Sequence, residues 1–327
     1  MQRDRSWLGP LAGLMIVALL LWRLGVGTFV DALRHLDAWS VAAGAAIAVL
    51  TTVCGAWRWV LVARGLGAEL SLRSAVAESY RSQFLNVTLP GGMLGDVHRG
   101  VRHGRGGGDL GLGLRSVVWE RSAGQVVLAV LTAGVLLLAP GPVSALFPPG
   151  SPAATALAGL AVVAVLLVTA LAVLTVRGRR HGAANGVVRV VRAVGADVRA
   201  GLLGRHTWPG VLAGSTVVVA GHAATFVVAA RAAGVTAPVT QLLPLALIVL
   251  VAMGLPLNIA GWGPREGVAA WAFGAAGLGA AGGVGTAVAY GVIVLVASLP
   301  GAAVLAVARR ERRRSGRPES ADGAARG

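Results

Sequence analysis

The sequence predicts an all-α polytopic membrane protein, with about six full transmembrane helices and two further segments that are apolar but broken. An eight-span arrangement is the alternative. Three observations carry this reading. Of 327 residues, 56% are hydrophobic and only 13% charged, about half the charged share of a soluble domain. Mean hydropathy is +0.75. Apolar stretches of about 20 residues, the length a helix needs to cross the hydrocarbon core, recur along the whole chain. Yet the formal charge is +16, from 29 basic residues against 13 acidic, and every basic residue is Arg.

The composition also excludes function classes. A nucleic-acid-binding domain of this basicity would be polar throughout. Without Lys there is no Walker A loop and no Lys Schiff-base chemistry. A single cysteine, Cys54, leaves no disulfide framework and no multi-cysteine metal site. His35, His98, His103, His181, His206 and His222 are dispersed, and no spacing among them suggests a metal pair. The chain is expected to need no cofactor or metal, to bind no nucleic acid, and to act without enzymatic chemistry.

In chain order, the first span runs from Trp7 to Trp22. It follows Arg3 and Arg5 and is followed by Arg23-Leu24-Gly25 rather than a small-residue cleavage site, so it is expected to be a retained anchor. Further spans are Trp39–Ala63, Leu114–Ala139, Ala153–Val176, Trp208–Ala230 and Gly283–Ala308. Ala75–Val97 and Gln241–Gly282 are the broken segments. Each is read as a re-entrant hairpin, with two full spans as the alternative for the second. In 177–207, Val187, Val190, Val191, Val194, Val198 and Leu202 share one helical face and Arg189, Arg192 and Arg199 the opposite one. That pattern predicts an amphipathic helix over about 184–203, lying on an anionic leaflet or packed on the bundle as a connector. Residues 1–308 form one transmembrane domain. Residues 309–327, opening on Arg309, Arg310, Arg312, Arg313 and Arg314, are expected to be a disordered basic tail.

Arg placement sets the expected orientation, because cytoplasmic loops retain Lys and Arg. With the N-terminus inside, 21 of the 29 Arg fall in 1–6, 63–74, 98–110, 177–207 and 309–327. Both termini are therefore expected in the cytoplasm, and the protein in the plasma membrane.

The two breaks match each other. The first reads Leu89-Pro90-Gly91-Gly92-Met93-Leu94-Gly95-Asp96-Val97-His98-Arg99. The second reads Leu255-Pro256-Leu257-Asn258-Ile259-Ala260-Gly261-Trp262-Gly263-Pro264-Arg265-Glu266. Three spans separate them, so they enter from opposite faces, the signature of an inverted repeat whose broken helices meet near the midplane. Irregular backbone at that depth is tolerated where it is buried or lines a water-filled cavity.

Charges near membrane depth gather at the same places. Arg58, Arg115, Glu120 and Arg121 lie inside predicted spans, and Asp96, Arg99, Arg265 and Glu266 follow the breaks. Such residues are costly and usually face a bundle interior with partners. Arg58 could instead snorkel to the interface, and Glu120-Arg121 and Arg265-Glu266 could be structural ion pairs. Arg in excess over acid points to an anionic guest, since its guanidinium forks a phosphate and keeps its charge. In this reading Arg58, Arg121 and Arg265 hold a headgroup phosphate. Asp96, Glu120 and Glu266 pair with them when the site is empty. Gly106-Gly107-Gly108-Asp109-Leu110-Gly111 matches a nucleotide-loop pattern by letter, but it follows no strand and reads as a flexible loop.

The Arg58-Trp59 pair, Tyr80 and Asn86 ahead of Leu89-Pro90-Gly91-Gly92, Gly95-Asp96 with Arg99, Glu120-Arg121, and Gly261-Trp262-Gly263-Pro264-Arg265-Glu266 together resemble the lysylphosphatidylglycerol synthase transmembrane region family. The resemblance covers roughly residues 7–308. It implies a flippase-like domain moving lipid between leaflets, as this region is thought to do with aminoacylated phosphatidylglycerol in two-part members. It also implies that Tyr80, Asn86 and Arg99 join the substrate-binding set. The chain is expected to lack the synthase half, leaving a separate lipid-modifying enzyme as a possible partner and membrane lipid, an anionic phospholipid above all, as the cargo. The competing expectations are an accessory subunit of an envelope-lipid enzyme, and an intramembrane enzyme using Asp96, His98 and Glu120 as acid–base groups.

Overall fold

A computed structural model describes residues 34–89, 93–138, 186–254 and 262–315, with a few isolated positions before them. Every regular element among these residues is a helix. We number them α1 (Ala38–Gly65), α2 (Leu72–Thr88), α3 (Leu94–Gly107), α4 (Leu110–Leu138), α5 (Gly186–Asp197), α6 (Trp208–Ala232), α7 (Val239–Met253), α8 (Pro264–Ala275) and α9 (Ala280–Ser315), with a π-helical turn at Val198–Leu202 after α5. The predicted spans Trp7–Trp22 and Ala153–Val176, and Pro90, Gly91, Gly92, Pro256 and Gly261 of the breaks, lie outside the described residues.

Four helices, α1, α4, α6 and α9, are long and apolar enough to cross a membrane. The broken segments each form two shorter helices. At 1.5 Å per residue, α2, α3, α7 and α8 measure about 18 to 26 Å, short of the ~30 Å core. By length, the described helices of both segments fit re-entrant hairpins. The helices also overrun the sequence expectations. Residues 98–107, expected in a loop, complete α3, because Asp96 and the run to Gly107 contain no Pro. The Arg run 309–314 prolongs α9 to Ser315 instead of opening a tail at 309. The Gly106–Gly111 stretch is a tight corner rather than a flexible loop. Gly108 ends α3 at φ +77°, a left-handed conformation that glycine adopts without strain. Asp109 then starts α4 by accepting the Leu112 N–H at 2.9 Å.

The packing has a two-fold pattern. α1–α4 and α6–α9 are equivalent units, each a long helix, a re-entrant hairpin and a second long helix. Within them α1 packs on α2 and α4 as α6 packs on α7 and α9, and α3 bridges α2 and α4 as α8 bridges α7 and α9. Across them α2 packs on α9 as α7 packs on α4, and α1 on α9 as α6 on α4. α1 and α6 pack on each other and run antiparallel. Gly210 faces Trp57 and Leu61, Gly214 faces Cys54 and Arg58, and Gly221 faces Ile47 and Thr51. Small residues at these points let the two backbones approach. The units are therefore inverted relative to each other, as the matching breaks predict.

Most of the apolar core lies in the second unit. Phe226, Leu242, Leu245, Val249, Phe273, Tyr290 and Ile293 are buried together there, with Phe226 edge-on to Phe273 at 6.2 Å. α5 is tied to the bundle at its end, where Asp197 accepts from Arg115 Nη1 at 3.1 Å and Trp119 Nε1 at 3.1 Å. Gly65 lies against Ala200 and Gly201. The C-terminal part of the predicted amphipathic helix is thus a packed connector, with Arg192 and Arg199 exposed.

Gly301 sets how closely α9 meets the first hairpin. A Cβ there would sit 2.7 Å from the Tyr80 carbonyl carbon and 2.8 Å from Phe84 Cβ. Gly301→Ala is expected to destabilise the protein by about 1–3 kcal/mol through overpacking. Gly134→Ala, where a Cβ meets nothing within 4 Å, should stabilise α4 by about 0.5–1 kcal/mol. Thermal unfolding in detergent reads both.

Candidate functional site

The first break is strapped by Asn86 in the last turns of α2. Its Oδ1 accepts the Gly95 N–H at 2.8 Å, and its Nδ2 donates to Asp96 Oδ2 at 3.0 Å. Gly95 allows this closeness, since a Cβ would lie 2.8 Å from both the Ser82 carbonyl carbon and Asn86 Oδ1. Ser82 donates to Asp96 Oδ1 at 2.9 Å. Asp96 stands in the first turn of α3, where the helix dipole favours a negative charge.

From this carboxylate a chain of charges crosses the bundle. Arg121 on α4 donates through Nη2 to Asp96 Oδ2. Arg99, one turn along α3, places Nε 3.1 Å from Asp96 Oδ1 with the N–H out of line. Its Nη2 donates to Glu120 Oε2 at 2.5 Å. Glu120 also accepts from Arg58 of α1, through Nε at 3.0 Å and through Nη2, both on Oε1. Arg58 Nη1 reaches Ser215 on α6 at 3.0 Å. Three arginines and two carboxylates thus join α1, α2, α3, α4 and α6, with one net positive charge.

Arg58 does not snorkel: its side chain is 8% exposed and Glu120's 3%. Nor do Glu120 and Arg121 pair with each other. Adjacent residues point to different helix sides, so Glu120 turns inward to Arg58 and Arg99 while Arg121 turns to Asp96. Arg121 is the exception in exposure, with 47% of its side chain accessible.

The second break is built differently. Gly263 takes φ +116°, which favours glycine, and donates its N–H to Glu266 Oε2 at 2.6 Å. Arg265 donates to Glu266 Oε1 through Nε at 2.8 Å and Nη2 at 2.6 Å. This pair is closed and buried. Arg265 lies over Trp262 at 5.0 Å and Tyr290 at 5.7 Å. Arg99 likewise lies over Trp59 at 4.7 Å, so each unit sets one arginine on an aromatic face, a favourable cation–π arrangement. Each unit also spares a glycine for an arginine: Gly124 faces the Arg58 guanidinium and Gly291 that of Arg265.

Both hairpins contact the same stretch of α4. Arg121 touches the first through Asp96. Gln125, one turn on, touches the second, where a Cβ on Gly254 would lie 3.0 Å from its Oε1. Within the second unit, His222 Nδ1 on α6 and Tyr290 OH on α9 share a 2.9 Å hydrogen bond.

The structure therefore brings Arg58, Asn86, Asp96, Arg99, Glu120 and Arg121 into one network and sets Arg265 and Glu266 in a separate pair. Tyr80 stands apart, half-buried on α2 with its carbonyl toward Gly301 of α9. Of the three arginines expected to hold a phosphate, Arg121 alone is more than marginally exposed. Sequence reasoning missed Ser82, Ser215, Tyr290 and His222. Their signal is a polar side chain inside an apolar helix, which gains meaning only once a partner is in place. Among the described residues no group of three or more His, Cys, Asp or Glu could hold a metal ion.

Glu120 is the counter-charge that Arg58 and Arg99 share. Glu120→Ala is expected to cost about 3–5 kcal/mol, the penalty for stranding buried charge. Arg58→Ala added to Glu120→Ala should recover part of it, as measured by thermal unfolding. His103, in the last turns of α3 beyond the four spans, meets Trp59 edge-on at 5.5 Å. Burial holds its pKa below the ordinary imidazole value. A depressed histidine is neutral in both states above that value, and as pH falls the unfolded chain takes up the proton first. Stability should thus decline as pH drops through and below the ordinary histidine range, and His103→Gln should flatten that slope in melts at stepped pH.

The sequence was also compared with known proteins. No curated protein matches the chain. The family model described as the lysylphosphatidylglycerol synthase TM region matches residues 6–301. That match spans the anchoring spans, both hairpins and every charged residue of the network, and the chain belongs to this family.

Proposed function

We propose that this protein moves an anionic phospholipid, or a lipid-linked headgroup, between the leaflets of the plasma membrane and performs no chemistry of its own. The observation that carries the reading is the charge network with its half-exposed member, Arg121. The network has one net positive charge and lies about a third of the way along α1, α4 and α6 from the Gly65 end of α1, on a stretch of α4 that both hairpins contact. An arginine there offers a lipid phosphate forked hydrogen bonds, while acyl tails remain in the bilayer. Asp96 holds Arg121 in the empty state and would be displaced by the phosphate. The buried Arg58–Glu120–Arg99 group fixes the helices that carry this exchange. Inverted units of this kind can rock about their shared α1–α6 contact to expose one site to each leaflet in turn. The Arg distribution supports a cytoplasmic placement of the Gly65 end of α1 and of both termini.

The test is reconstitution into vesicles carrying a head-labelled phosphatidylglycerol, with movement read by quenching of the outer leaflet. Wild type is expected to accelerate movement over protein-free vesicles. Arg121→Gln should lower the rate about tenfold, the effect of losing one charged hydrogen bond. Arg231→Gln, whose guanidinium bonds the Val235 carbonyl at 2.7 Å outside the charge network, should leave it unchanged. Wild-type rates equal to protein-free vesicles would overturn the proposal.

A further inference from the structure

At the Gly65 end of the bundle lies a cavity of about 630 Å³ that none of the groups above occupies. Its walls are the α1–α2 link (Gly67–Ser71), Ser74 and Glu78 of α2, the last turns of α3, and the start of α4. Trp59 closes its inner end. That indole is fully buried, donates to Ser116 at 3.0 Å, and carries Arg99 of the charge network on its face. One aromatic side chain, Trp59, therefore touches both the cavity and the network. Gly106 and Gly107 leave their stretch of wall open, since a Cβ on either meets nothing within 4 Å.

The charges in the cavity run against those of the chain. Glu78 is neutralised by Arg81 at 2.9 Å and Arg102 at 2.8 Å. Arg102 keeps 41% of its side chain exposed and lines the cavity. Glu69 and Asp109 also line it and are exposed. The cavity thus holds one arginine able to meet a phosphate, two carboxylates beyond those it balances, and the hydroxyl-bearing Ser71 and Ser74. Only 13 residues of the chain are acidic against 29 basic, and three of the 13 line this one cavity. Carboxylates accept hydrogen bonds and repel anions, so such a mouth discriminates by repulsion as much as by attraction.

We propose that this cavity is a headgroup-selecting vestibule. It takes a phosphodiester whose substituent bears hydrogen-bond donors, hydroxyl or ammonium, and turns away a bare phosphate monoester. The phosphate lies at Arg102 and the donors at Glu69 and Asp109, and Trp59 with Arg99 forms the wall through which the headgroup passes inward. This inference rests on the transport reading for its role, but the site itself is tested without transport.

The probe is Ser74→Cys in the Cys54→Ser full-length chain, labelled with a water-soluble maleimide in nanodiscs of phosphatidylcholine alone or with added phosphatidylglycerol, phosphatidylethanolamine or phosphatidic acid. Phosphatidylglycerol or phosphatidylethanolamine is expected to slow labelling about tenfold, and which of them does so identifies hydroxyl or ammonium as the donor. Phosphatidic acid should leave the rate at its phosphatidylcholine value. Glu69→Gln with Asp109→Asn should abolish the difference between lipid compositions, each rate being read relative to the same variant in phosphatidylcholine. Equal labelling in all four compositions, protection by phosphatidic acid, or selectivity that survives the double substitution would overturn the vestibule. If protection holds and vesicles show no lipid movement, the transport reading fails and the site stands. If movement holds and protection is absent, the vestibule fails alone.

Discussion

The Glu120 carboxylate is the constraint on which the site depends. It accepts from Arg58 on α1 and Arg99 on α3, and through them fixes the first hairpin against the two long helices that flank it. A buried carboxylate between two guanidiniums is costly to desolvate and strong once paired. Its value here is geometric. It orders three helices that small residues alone would let slide, and it turns Arg121, its neighbour in sequence, toward Asp96.

Around that constraint the two units share a frame and differ in charge. The packing of α1–α4 is reproduced by α6–α9, and each unit lays an arginine on an aromatic face. The second unit closes its Arg265–Glu266 pair on itself and ties it to the break through the Gly263 N–H. The first unit spreads the charges of its network over three helices and leaves Arg121 half-exposed. The frame is symmetric and the charged centre is not.

Much of this was legible in the sequence, and the reasons are physical. Span existence follows from apolar length, so α1, α4, α6 and α9 were read within a few residues. The inverted repeat was legible because Leu-Pro, Gly and Arg recur at the same spacing around the two breaks. Partners were not legible. Glu120 and Arg121 are adjacent and invite pairing on paper, yet a helix sends neighbours about 100° apart, and each finds a residue 25 or more positions away or on another helix. Arg58 looked close enough to a span end to snorkel, because nothing local shows that Glu120 will face it. Helix ends were missed at α3 and α9, where Arg-rich stretches read as loops although Arg is a good helix former.

The proposed role of Arg121 in meeting a lipid phosphate is tested most directly by a structure of the protein in nanodiscs containing phosphatidylglycerol. A headgroup phosphate is expected within hydrogen-bond distance of the Arg121 guanidinium, with Asp96 turned away from it. An Arg121 still held by Asp96, with phosphates confined to the two membrane surfaces, would contradict it.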